Sequence, residues 1–188
     1  KTDPSRADEA EQELLKKLQS NNYDTNYDVV SFNIVLQAWG KQQNAFAADR
    51  ADALLQTLKS LKQIQPDTYS YAAVLNAYAK SKGGRKAALR AQHLVEEMEA
   101  SSPQHLAITN DICHNTLMNT WAGQPDGGEK CNTILEHLEE KSLASLISYN
   151  ACIKAWMRTK DAQRAGPEAH KILDKLKLLS QTNARLAP

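Results

Sequence analysis

Three asparagines in the sequence each follow an apolar residue by three positions. The pairs are Val30 with Asn33, Ile112 with Asn115, and Ile147 with Asn150. A primary amide both donates and accepts hydrogen bonds, so it can contact the edge of a nucleobase. An apolar or aromatic side chain nearby can lie against the face of the same base. A fourth place with the same surroundings has Tyr69 and Ala72 instead.

These pairs belong to four similar blocks of nine residues, which span 31–39, 70–78, 113–121 and 148–156. The third residues of the blocks lie at 33, 72, 115 and 150, so consecutive blocks are 39, 43 and 35 residues apart. All three tryptophans of the chain fall in the last column of the alignment. The column consists of Trp39, Tyr78, Trp121 and Trp156. Self-similarity of this kind identifies a repeat architecture.

A second apolar run follows each block after a Gly-, Pro- or Asp-containing breaker. These runs span 47–61, 86–100, 128–142 and 165–179, and segment 6–18 has the same pattern. Apolar residues recur in them at steps of three and four, which is typical of amphipathic helices, and no segment alternates with a period of two. We therefore predict an all-α fold in which helix pairs stack into a right-handed superhelix. The predicted array covers 1–188, with a half repeat at 5–27 and repeats at 29–67, 68–110, 111–145 and 146–188.

Each first helix has two distinct faces at about 100° per residue. Phe32, Val35, Leu36 and Trp39 define a core face, and the second, fifth, ninth and thirteenth residues of each repeat lie opposite. The thirteenth residues include three cations, which are Lys41, Lys80 and Arg158. A cation beside a base-binding residue can contact phosphate, but it can also be an ordinary solvated charge. The amides likewise allow a second interpretation, as solvent-facing polar residues of an exposed helix face.

The repeat starts resemble those of the pentatricopeptide repeat family of RNA-binding proteins. The resemblance rests on residues 28–33 (DVVSFN) and 66–71 (PDTYSY), and on the Glu97-Met98-Glu99 ending of a second helix. It covers residues 28–188. Two repeats are longer than is usual in that family, and the third lacks the Pro-Asp start.

The resemblance implies a single-stranded RNA partner, possible protein partners, no cofactor, and a role in RNA processing, stability or translation in a mitochondrion or chloroplast. It implies that the fifth residue of each repeat and the residue ending the repeat read one base together. The implied pairs are Asn33 with Asp67, Ala72 with Asn110, Asn115 with Ser145, and Asn150 with a residue beyond Pro188. The implied base-sandwiching residues are Val30, Tyr69, Ile112 and Ile147, and Lys41, Lys80 and Arg158 are the implied phosphate contacts. The first pair implies uracil and the third a pyrimidine, whereas Ala72 implies weak discrimination.

Composition limits the alternatives. The net charge is only +1, so RNA binding must come from a local stripe of residues rather than from a global basic field. The runner-up function is a protein-binding scaffold of the tetratricopeptide type, which the low charge favours and the Pro-Asp start disfavours.

No apolar run is long enough to cross a membrane. Because the chain begins at Lys1, we interpret it as a segment of a longer protein, and any targeting peptide of that protein is expected outside this segment.

Other chemistry has little support in the sequence. The glycine-rich stretch 123–130 lacks the Gly-Lys-Ser/Thr ending of a phosphate-binding loop. The five histidines show no zinc-ligand spacing, so no metal site is predicted, and His114 is expected to be a packed residue of the core. Cys113, Cys131 and Cys152 are expected to be reduced core residues. No catalytic constellation is present, so we expect this segment not to be an enzyme.

Overall fold

The computed structural model describes residues 4–19, 28–61, 63–101 and 110–182, and these residues form helices and connecting turns without any strand. The helices are α1 (Pro4–Gln19), α2 (Val29–Gly40), α3 (Ala45–Ser60), α4 (Thr68–Lys80), α5 (Gly84–Ser101), α6 (Asn110–Trp121), α7 (Gly127–Glu140), α8 (Leu146–Arg158) and α9 (Ala162–Thr182). The all-α prediction is therefore confirmed for the described residues. The superhelix and its hand stay predictions.

The chain divides into two compact units, 1–83 with α1 to α4 and 84–188 with α5 to α9. In the first unit α2 packs against α1, α3 and α4, and α3 also packs against α4. In the second unit α6 packs against α5, α7 and α8, and α8 also packs against α7 and α9. Each unit thus holds one pair of neighbouring first helices, α2 with α4 and α6 with α8. The prediction of one array over 1–188 is not tested by these contacts.

Capping side chains explain where the first helices begin. Asp28 precedes α2 and accepts a hydrogen bond from the backbone N–H of Ser31 at 2.9 Å. Asp67 precedes α4 and accepts one from the backbone N–H of Ser70 at 2.8 Å. Ser145 precedes α8 in a capping box with Ser148. These side chains satisfy N–H groups that have no partner within the helix. Three of the four predicted repeat starts therefore coincide with helix starts, and α6 begins one residue early, at Asn110.

Helix α9 begins three residues before the predicted second run of the last repeat. Asp161 accepts hydrogen bonds from the backbone N–H of Arg164 at 3.2 Å and, through its carbonyl, from that of Ala165 at 2.9 Å. This aspartate acts as the N-terminal cap, so the helix extends upstream of Gly166 and Pro167.

The aromatic column is buried, as predicted: Trp39, Tyr78, Trp121 and Trp156 are each 7% exposed or less. Three of these rings also donate a hydrogen bond to the second helix of the preceding repeat. The bonds are Trp39 Nε1 to Glu11 Oε2 at 2.9 Å, Tyr78 Oη to Asp52 Oδ2 at 2.8 Å, and Trp156 Nε1 to Asn132 Oδ1 at 3.0 Å. A buried indole or phenol usually has such a partner, and these three bonds join consecutive repeats while the rings fill the core.

The glycine-rich stretch serves packing. A Cβ atom on Gly128 would overlap the indole of Trp156, and one on Gly127 would overlap the backbone carbonyl of Trp121. The absence of side chains at these two positions lets α7 approach both tryptophans closely. Close packing, rather than phosphate binding, therefore explains the glycines at 127 and 128.

The three cysteines are free and buried. Burial raises the pKa of Cys113 and of Cys152 to about 12, and burial also raises the pKa of Cys131 above its ordinary value. At neutral pH the thiols are uncharged and pack as small apolar side chains, in agreement with the sequence interpretation.

The packing of Gly128 is testable against Gly123, which is exposed and has no atom within 4 Å of an added Cβ. We expect Gly128→Ala to lower the free energy of unfolding by about 1–3 kcal/mol, because the methyl group overfills the contact with Trp156. Gly123→Ala should change it by less than about 0.5 kcal/mol. Urea unfolding followed by tryptophan fluorescence measures both variants, and equal values would contradict the packing role.

Candidate nucleic-acid interface

Four large apolar side chains near the starts of the first helices face solvent. Their exposed fractions lie between 53% and 67%, and they are Val30, Tyr69, Ile112 and Ile147. Val30 and Tyr69 lie on the neighbouring helices α2 and α4 of the first unit. Ile112 and Ile147 lie on α6 and α8 of the second. Each unit thus has a pair of exposed apolar residues on adjacent helices, and these are the residues for which the family resemblance implies base sandwiching.

Between the first pair of helices, the structure brings together the two residues that are expected to read a base. Asn33 Nδ2 donates hydrogen bonds to Asp67 Oδ1 at 3.1 Å and to Asp67 Oδ2 at 3.2 Å. Asp67 is half-buried, and Asn33 is only 7% exposed. The side chain of Asp67 therefore both caps α4 and holds the amide of α2.

The partners of Asn33 determine how its amide is oriented. A carboxylate only accepts hydrogen bonds, so the end of the amide that faces Asp67 is the nitrogen. The hydroxyl of Ser70 donates to Asn33 Oδ1 at 2.7 Å and fixes the other end. Both carboxylate oxygens lie on the same side of the nitrogen. One of its two N–H groups is therefore directed away from Asp67.

The equivalent residues of the second unit, Asn115 and Ser145, have different partners. Asn115 is 6% exposed, and within the described part of the chain its Oδ1 atom is buried without a hydrogen-bond partner. Ser145, at the place of Asp67, is half-buried, and its hydroxyl lies 3.2 Å from that of Ser148. The interpretation of the amides as solvent-facing residues is wrong for Asn33 and Asn115. Both are buried because each lies on a first helix that packs against the next first helix.

The other predicted readers differ in their placement. Asn150 is exposed on α8, and Ala72 is half-buried on α4. Asn110 is the first residue of α6, but its side chain lies outside the described residues, as does any partner of Asn150 beyond Pro188. The structure therefore shows one complete Asn–Asp pair and leaves the pairing of Ala72 with Asn110 a prediction.

The predicted phosphate contacts, Lys41, Lys80 and Arg158, are all exposed. Each lies at the C-terminal end of a first helix: Lys41 follows α2, and the other two are the last residues of α4 and α8. Exposure is what both interpretations of these residues require, as phosphate contacts or as solvated charges.

Comparison with known proteins gives no match: no protein-family model, no curated protein and no solved structure is similar to this chain. The resemblance to the pentatricopeptide repeat family thus rests on the residues of the repeats. None of the described helices is long and apolar enough to cross a membrane.

Sequence reasoning missed one cluster of chemically active side chains. Glu99, His114 and His137 converge in the second unit from three different helices. Their spacing along the chain matches no ligand motif, so only the packing of α5, α6 and α7 brings them together.

The Asn33–Asp67–Ser70 network predicts a difference between two equivalent amides. We expect Asn33→Ala to lower the free energy of unfolding by about 1–3 kcal/mol, because it removes hydrogen bonds to a carboxylate and to a buried hydroxyl. Asn115→Ala should cost at least about 1 kcal/mol less, because its amide oxygen has no hydrogen bond to lose. Urea unfolding of the two variants tests this. An equal loss would show that packing, rather than the network, accounts for the effect.

Proposed function

We propose that this chain is a helical repeat module that binds single-stranded RNA, with Asn33 and Asp67 reading uracil between Val30 and Tyr69. The observation that carries the proposal is the Asn33–Asp67 pair, held at 3.1 Å between two helices that each expose an apolar side chain. Asn115 and Ser145 between Ile112 and Ile147 are the corresponding place in the second unit.

The exposed apolar residues support stacking. Isolated apolar residues are ordinary on a protein surface, but these four recur near the start of each first helix. An unpaired base presents two apolar faces, and contact with aromatic or aliphatic side chains on both faces removes them from water. A duplex would not expose these faces, so the arrangement favours single-stranded RNA.

The polar pair supports recognition of uracil. The second N–H of Asn33 can donate to a uracil carbonyl, and the Asp67 carboxylate can accept from the ring N3–H beside that carbonyl. Cytosine in the same position places an unprotonated N3 against the carboxylate, which repels it. Because Ser70 already orients the amide, little side-chain entropy is lost on binding.

The cations supply the part of the affinity that does not depend on sequence. Lys41 and Lys80 in the first unit, and Arg158 in the second, are exposed at equivalent helix ends, where they can contact the phosphates of RNA bound to the same unit. The chain has 23 Lys and Arg against 22 Asp and Glu, so its other 20 cations are outnumbered by its carboxylates. We therefore expect binding to weaken with salt, by about one unit of the log–log slope for each phosphate contact.

The base preference is tested by exchanging residues at the two reading positions. Asn33→Thr should shift preference from uracil toward guanine, because the shorter side chain leaves room for a purine and the family's Thr–Asp pair favours that base. Asp67→Ser should reduce the discrimination between uracil and cytosine by about 1–3 kcal/mol, the range for a base contact. Fluorescence anisotropy with homopolymeric and substituted oligonucleotides at low ionic strength measures both effects.

Serine at 67 is a preferred N-cap residue, and Ser145 precedes α8 at the equivalent position. The matched control is Asp28→Ser, which makes the same change of charge and cap at the start of α2. Hydrogen bonds from the backbone and then the side chain of Ser31 hold the pKa of Asp28 below its usual range, so this variant also loses an ionised carboxylate. Its base preference should not change. If Asn33→Thr and Asp67→Ser weaken binding equally for all four bases, both residues support the fold and read nothing.

A further inference from the structure

A group of three metal-ligating side chains contains none of the residues of the proposed RNA site. Glu99 is near the end of α5, His114 is on α6 and His137 is on α7, all within the second unit. Glu99 Oε1 lies 3.0 Å from His137 Nε2 and 3.5 Å from His114 Nε2. One ligand atom from each residue lies within 4.8 Å of the others.

These distances suit a small metal ion. Zinc binds imidazole nitrogen and carboxylate oxygen at about 2.0–2.2 Å in tetrahedral geometry, which separates neighbouring ligand atoms by about 3.3 Å. The two measured separations lie on either side of that value. Since all three ligand atoms already lie within 4.8 Å of one another, modest side-chain movements would bring them to one ion.

The ligand types and their surroundings select the kind of metal. Two imidazoles with one carboxylate favour zinc and similar transition metals over magnesium and calcium, which prefer oxygen ligands. His114 is buried, and Glu99 and His137 are partly exposed. All three line one pocket of about 220 Å³, together with Leu117 and Ile134. The pocket has room for a water molecule as the fourth ligand.

Lys141 is a cation that would compete with a metal ion for the carboxylate of Glu99. Its ammonium nitrogen lies 2.7 Å from Glu99 Oε1, so it donates to the oxygen that a metal would use. The side chain is 42% exposed and follows the end of α7, which allows it to swing into solvent. The ammonium group of Lys141 therefore provides the positive charge next to Glu99, and a bound metal ion would take its place.

We propose that Glu99, His114 and His137 bind one Zn²⁺ ion, with Lys141 displaced into solvent. The ion would tie α5, the second helix of one repeat, to both helices of the next, α6 and α7. Zinc would bind the folded chain and not the unfolded chain, so it would raise the melting temperature. This site does not depend on the proposed RNA binding.

The test is metal binding by the chain after treatment with a chelator. We expect one Zn²⁺ per chain by isothermal calorimetry, a higher melting temperature with Zn²⁺ but not with Mg²⁺, and visible Co²⁺ absorption typical of four-coordinate geometry. His137→Gln should weaken zinc binding by at least about tenfold, the scale of effects from changes next to a metal. Since His137 is partly exposed, the variant should fold, which circular dichroism checks.

Two further variants distinguish a zinc site from an ordinary ion-pair cluster and from zinc binding by surface histidines. Lys141→Met should tighten zinc binding, because it removes the competing ammonium, whereas a pure ion-pair cluster would lose stability and gain no affinity for metal. The control combines His93→Gln with His170→Gln, both exposed and each next to a carboxylate four residues away. It should leave binding unchanged. No saturable binding, or binding lost in this control and kept in His137→Gln, would overturn the proposal.

Discussion

The aromatic residue near the end of each first helix is the constraint on which the rest of the structure depends. Its ring fills the core, and in three of four repeats its polar atom donates to a side chain on the preceding second helix. The acceptors Glu11, Asp52 and Asn132 occupy equivalent positions in α1, α3 and α7. In α5 that position is Gln92, which instead donates to Glu96 at 3.0 Å, and Trp121 Nε1 is buried with no partner among the described residues. The bond between repeats is thus a recurring feature with one exception.

The burial of this aromatic ring also determines which residues of each first helix form the candidate interface. A ring fixed in the core sets the rotation of its helix, so that the second residue of the repeat, such as Val30 or Ile147, must point outward. The same rotation turns the fifth residue toward the neighbouring first helix, where Asn33 meets the cap of α4. Core packing and the hydrogen bond between Asn33 and Asp67 therefore follow from a single helix orientation. Because the second residues are exposed, sequence changes there leave the core packing intact.

Much of the fold was predictable because it follows from local rules. The apolar period predicted the helices, and the repeat alignment predicted first-helix starts at 29 and 68, where Asp28 and Asp67 cap α2 and α4. The start of a second helix is harder to predict, since one carboxylate, Asp161, extended α9 upstream of a Gly-Pro step. The burial of Asn33 was not predictable, because a helical wheel gives directions around one helix and not the distance to the next.

The cluster of Glu99, His114 and His137 shows the same limit more strongly. Each residue has an ordinary place in its own helix: a surface acid, a core position and a surface histidine. Their chemistry arises only when α5, α6 and α7 pack, and no spacing along the chain reports which side chains then converge. A site of this kind can be found in a structure but not by searching the sequence for motifs.

The most direct measurement is of the side-chain amide of Asn33 during titration with RNA. In a ¹⁵N–¹H spectrum its two N–H signals are assigned by their loss in Asn33→Ala. We expect them to shift in a saturable way with an oligouridine, together with the ring signals of Tyr69, and to shift far less with an oligocytidine. Saturable binding that leaves the Asn33 amide signals unmoved, or equal shifts with both oligonucleotides, would contradict base reading by this pair.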